Sequence, residues 1–141
     1  MLQQERLDVA AASYRKALRL KPDFPEALHN LGNALWALKR LDEAEASYRK
    51  VLNLRQGDAQ ASYHLAMLLL SRRDFSAGWA AHECRWQSEA LRPSWCPFTQ
   101  PQWRGEPAEG RTLLIHAELG LGHTAHFCRY ASLAATRCRF R

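Results

Sequence analysis

Residues 7–20 read LDVAAASYRKALRL, and residues 41–54 read LDEAEASYRKVLNL. The two stretches coincide at Leu7/Leu41, Asp8/Asp42, Ala10/Ala44, Ala12/Ala46 and through Ser-Tyr-Arg-Lys. Every matched pair lies 34 positions apart (48 − 14 for the tyrosines). A fixed period of that length, with small, aromatic and small residues at set places, marks a helix-pair repeat. A single pair cannot bury its apolar face, so successive pairs stack.

The period and the small–aromatic–small order are those of the tetratricopeptide repeat. The middle unit is complete, from about Pro25 to Asp58. Pro25 suits a first helical turn, where a missing N–H costs nothing. Leu28, Leu31 and Leu35 recur at helical spacing, and Gly32 stands where two helices come closest. Lys39-Arg40-Leu41-Asp42 makes the corner. Ala44, Tyr48 and Val51 then line the second helix. Gly57 can take a left-handed conformation, and Asp58 can cap the next helix.

The flanking units depart from this pattern. Met1 falls at the eleventh place of a repeat, so the first unit is expected to lack most of its first helix. Its second helix is carried by Ala10, Tyr14 and Ala17 and stopped by Pro22. The third unit begins at Ala59, with Leu65, Ala66 and Leu69 in the first-helix places. Its second helix opens after Arg73, and there Gly78, His82 and Arg85 replace alanine, ring and apolar filler. The third unit therefore reads as the end of the stack.

Such a stack presents a concave groove lined by the first helix of each unit. Residues pointing there, away from the packing face, are His29, Asn30, Asn33 and Trp36 in the middle unit, and Tyr63, His64 and Met67 in the third. Side-chain amides can hold a peptide backbone of any sequence through paired hydrogen bonds. Trp36 and Tyr63 can anchor a side chain. The expected partner is a protein or peptide segment in this groove.

Composition bounds the alternatives. Hydrophobic residues make up 47% and charged residues 24%, an ordinary globular balance. The longest apolar run, Leu65 to Leu70, is far short of the roughly 20 residues that span a bilayer. The N-terminus, MLQQERLD, lacks the order of a signal peptide, so no membrane partner is expected and the chain reads as cytoplasmic. Cys84, Cys96, Cys128 and Cys138 form no CxxC pair and are expected as thiols. Neither His82/Cys84 nor His123/His126/Cys128 has a recognised metal spacing, so no metal is expected. The net charge is +6; residues 85–141 carry eight arginines against four acids, and three of those arginines fall in the short terminal run RCRFR. That footprint is too small for nucleic acid.

At Pro93 the composition shifts. PSWCPFTQPQWRGEPAEG is rich in proline and tryptophan and excludes a helix interior. It reads as a linker over residues 92–111, with Trp95, Phe98 and Trp103 packed against something. Thr112 to Ala117 is a candidate buried strand, residues 118–122 a glycine turn, and Thr124 to Ala135 a candidate helix. Gly120, Gly122 and Ala125 satisfy a loose dinucleotide spacing. The acidic partner expected about 20 residues on is missing, since Phe140 stands there, and no cofactor is expected. The fold expected is mainly α. It comprises a tetratricopeptide-repeat helical solenoid of about 2.5 repeats over residues 1–91, the linker over 92–111, and a single strand–turn–helix unit of an incomplete α/β domain over 112–141.

Three stretches, GWAAHECRW (78–86), PQWRGEP (101–107) and GRTLLIHAELGLGHTAHFCRY (110–130), together resemble bacterial proteins that join tetratricopeptide repeats to a C-terminal glycosyltransferase-like region. The resemblance implies two Rossmann-like domains with a cleft between them. The loop Glu118, Gly120, Gly122, His123, Thr124 would belong to the first domain and face the acceptor, with the nucleotide-sugar on the second. The family pattern reads Glu-Gln-Gly-x-Gly-Asp-Thr. Leu119 replaces its amide, and His123 replaces the aspartate that acts as general base, leaving His123 as a vestigial candidate. Ala125 and His126 stand where an apolar residue and a glutamine are usual. The resemblance further implies that residues 112–141 are a truncated start of that region, so the chain reads as a fragment that is not catalytic alone. The leading expectation is a peptide-binding repeat module. The alternative is a nucleotide-sugar-dependent glycosyltransferase whose repeats recruit a sugar-acceptor protein and whose donor domain lies outside this sequence.

Overall fold

A computed structural model describes residues 2–86, 99–106, 112–115, 125 and 128–138. The chain divides into two compact units, Met1–Arg92 and Pro93–Arg141. Among the described residues the first holds five helices: α1 (Leu2–Leu20), α2 (Pro25–Ala37), α3 (Leu41–Leu54), α4 (Ala59–Ser71) and α5 (Phe75–His82). A 3-10 turn, Glu83–Trp86, follows α5. The second unit holds α6 (Tyr130–Cys138).

Helix starts keep the period of the sequence. Pro25 and Ala59 open α2 and α4, and Leu41 and Phe75 open α3 and α5, each pair 34 apart (59 − 25 and 75 − 41). The corners repeat as well. After α2, Lys39 has a left-handed φ of 62°, and after α4, Arg73 has 65°. In both, the next N–H reaches back over the helix end. Arg40 donates to the Leu35 carbonyl at 2.9 Å, and Asp74 to the Leu69 carbonyl at 3.0 Å. This closure satisfies carbonyls that a helix end otherwise leaves unpaired. Asp58 and Asp74 then cap α4 and α5, accepting from the N–H groups of Ala61 and Ala77 at 2.9 and 3.2 Å. Gly57 is left-handed (φ 80°), within the turn between α3 and α4.

The core runs through the stack. Leu31, Leu35, Ala44, Tyr48, Leu65, Leu68 and Leu69 form one buried cluster with Ala11 and Ala34. Leu28, Val51 and Ala61 form a second. Cross-unit ion pairs lie over it at the surface: Arg15 with Glu43 at 2.9 Å, and Arg72 with Asp42 and Glu45 at 2.8 and 2.7 Å. Exposed pairs of this kind add little stability.

By the period, Glu5 and Arg6 hold the places of the corner residues Lys39 and Arg40, and both lie inside α1, whose residues Leu2 to Leu7 are strong helix formers. One expectation needs correction: Thr112–Ile115 forms no strand, with Leu114 and Ile115 exposed. A strand needs a neighbour to pair its backbone N–H and C=O groups. Among the described residues no strand offers that pairing. The strand–turn–helix unit of an α/β domain is therefore not supported. The helix expected over Thr124–Ala135 is observed at Tyr130–Cys138, preceded by a turn at Cys128–Arg129. In the linker, the Trp103 indole N–H donates to the Glu106 carbonyl at 2.7 Å across a turn at Gly105 (φ 100°). Trp95 and Phe98 lie outside the described residues.

Candidate functional site

The groove residues stand on α2 and α4, one helical turn or less apart along each. The capped start of each helix and its repeated corner fix their register. Asn33, Trp36 and His64 line an open recess of about 380 Å³, together with Ala37 and Lys39. The other predicted residues surround it. His29 packs edge to face on His64, with ring centres 4.9 Å apart, and Tyr63 lies against the same imidazole at 6.0 Å. Asn30 is exposed and Met67 half-buried, and neither lines the recess.

His64 is the hub. Its ring stacks on Tyr48 at 5.7 Å and meets Trp36 edge to face at 6.3 Å. From Tyr63 the series of rings continues to His82 (5.7 Å) and Trp79 (5.6 Å) on α5. Burial holds the His64 pKa below its ordinary value, and the nearby His29 adds to the shift. The Nδ1 atom of His64 is buried and has no hydrogen-bond partner among the described residues.

Asn33 is held from behind. The Tyr48 hydroxyl donates to Asn33 Oδ1 at 2.7 Å. Burial pushes the Tyr48 pKa up to about 12, so the phenol remains a donor. The Asn33 carbonyl is thus engaged inside the fold, and its amide NH2 is the group it can offer a ligand. Sequence reasoning treated Tyr48 only as a packing ring and Lys39 only as a corner residue. Tyr48 orients Asn33, and Lys39 borders the recess.

The expected glycine loop, Glu118, Gly120, Gly122, His123 and Thr124, lies outside the described residues. Among the described residues no three His, Cys, Asp or Glu side chains gather as a metal site, and no helix is long and apolar enough to cross a membrane.

Comparison with known families agrees with the repeat. Residues 2–39 match the family model described as TPR repeat, and residues 25–58 match the tetratricopeptide repeat model. Tetratricopeptide repeats are present in this chain, and the matched residues take in α1, α2 and α3. A comparison with curated proteins found no match. Repeats of this kind are protein-interaction modules that bind protein or peptide partners.

Proposed function

We propose that the chain captures an extended peptide segment of a partner protein in the recess between α2 and α4. One observation carries this reading: Asn33, held by Tyr48, and the half-buried Trp36 and His64 border one open recess. The Asn33 amide supplies a backbone-directed donor, the His64 ring borders the same recess, and the Trp36 face supplies an anchor for one side chain. A preorganised amide lowers the ordering cost of binding. Selecting a random peptide library on the chain tests the reading. Selected peptides should lose affinity for the Trp36→Ala and Asn33→Ala variants. Selected peptides that bind both variants as well as the parent would overturn it.

The resemblance of residues 101–130 to glycosyltransferase-like proteins supports a second reading, in which the bound partner is a sugar acceptor. That reading stands on sequence alone, with His123 in place of the aspartate base, and the geometry of the groove is what favours peptide capture.

A further inference from the structure

The charge around the groove points to the chemistry of its occupant, an inference that rests on the peptide-capture reading above. α2 and α4 contain a single carboxylate, Glu26, in the first turn of α2. It is paired with Arg55 at 2.5 Å. The acids of α3 are paired as well: Asp42 and Glu45 with Arg72, and Glu43 with Arg15 and Arg40. No carboxylate lines the recess, and its one charged member is Lys39. Lys39 is exposed and forms no ion pair among the described residues. The groups that face His64 are His29 and Trp36 from α2, Tyr48 from α3, and Tyr63 on its own helix. None of them is an anion, so among the described residues no carboxylate faces His64.

We propose that the recess takes an acidic residue of a peptide next to an apolar one. The carboxylate sits between Lys39 and His64, the apolar side chain lies on Trp36, and binding draws a proton onto the His64 imidazole. A carboxylate in contact favours imidazolium over imidazole, reversing the effect of burial. Peptide carboxylates remain ionised at about pH 5.5, because their ordinary values are about 4. Affinity therefore rises as pH falls through the imidazole range.

The test is a random peptide library selected on the full chain, with affinities then measured at about pH 5.5 and about pH 7.5, either side of the ordinary imidazole value of about 6.5. Peptides rich in Asp and Glu should emerge, bind at least several-fold tighter at the lower pH, and be weakened by Lys39→Glu. In His64→Gln the pH dependence should flatten while the fold, followed by circular dichroism, persists. His64→Asn gives the same readout if His64→Gln fails to fold. Selected peptides that need Trp36 but are neutral or basic would overturn the acidic occupant and leave peptide capture standing. Acidic peptides whose pH response is unchanged in the His64 variants would overturn the proton-coupled site. Peptides indifferent to Trp36→Ala would remove the groove reading itself, and this inference with it.

Discussion

The Gly32 backbone lies directly beneath the Tyr48 ring, so close that a Cβ on Gly32 would stand 2.6 Å from Tyr48 Cε1. Tyr48 is fully buried, and its hydroxyl is tied to Asn33, the residue that follows Gly32 in α2. The ring has no room to retreat without giving up that bond. Gly32→Ala should therefore destabilise the chain. Overpacking costs about 1–3 kcal/mol, and the better helix propensity of alanine returns up to about 1 kcal/mol. The net loss expected is about 1–2 kcal/mol, read as a lower Tm by about 4–8 °C for each kcal/mol. The third unit shows the compatible pairing: Ala66 stands at the equivalent place, and His82 stands where the ring would be (66 − 32 and 82 − 48 are both 34).

Arg73 holds a left-handed φ at the α4–α5 corner, a conformation that costs a side-chain-bearing residue roughly 1–2 kcal/mol. Its side chain is exposed and forms no ion pair among the described residues. Arg73→Gly removes the strain, and the greater freedom of glycine in the unfolded chain offsets about 0.5–1 kcal/mol of that gain. Thermal or urea unfolding should show a chain more stable by about 0.5–1 kcal/mol, with an unchanged urea m-value. A loss of stability would mean that the Arg73 side chain makes contacts worth more than the backbone strain.

These two positions show what the sequence could and could not reveal. The 34-residue period located Gly32, Tyr48 and both corners, because packing in a stack repeats wherever the helices repeat. The strand expected at Thr112–Ala117 was not legible in this way: its described residues, Thr112–Ile115, form none, because apolar or β-branched residues specify a strand only if another strand pairs with them. In the groove, the face of each helix was legible from periodicity. The hydrogen bond from Tyr48 to Asn33 was not, because it crosses from one helix to another and depends on how deeply the ring inserts beside Gly32.

Tyr48→Phe isolates that hydrogen bond. The ring and its contact with Gly32 remain, while Asn33 loses the donor that fixes its amide. The lost bond should cost about 0.5–1.5 kcal/mol in stability. Peptide affinity should also fall, because the Asn33 amide must then be ordered on binding. Isothermal titration with a selected peptide separates the two effects: the binding loss should persist at temperatures well below the variant's Tm. Full affinity in Tyr48→Phe would show that the orientation of Asn33 does not matter for capture.

The free chain should respond to acid in the opposite sense to its complex. The folded-state pKa of His64 is lowered by burial first and by His29 second, whereas in the unfolded chain it returns to about 6.5. For a histidine depressed in the folded state, the unfolded chain binds more protons over the range between the two values. Its stabilising contribution is therefore complete above the unfolded pKa and falls as pH drops through about 6.5 toward the folded value. Tm measured against pH should decline across this window in the parent chain and decline less in His64→Gln. Saturating acidic peptide should reduce or reverse the decline, because the bound carboxylate makes protonated His64 the favoured form. Parallel pH profiles for the parent and His64→Gln would show that some other group governs the response and that folding leaves the His64 pKa unshifted.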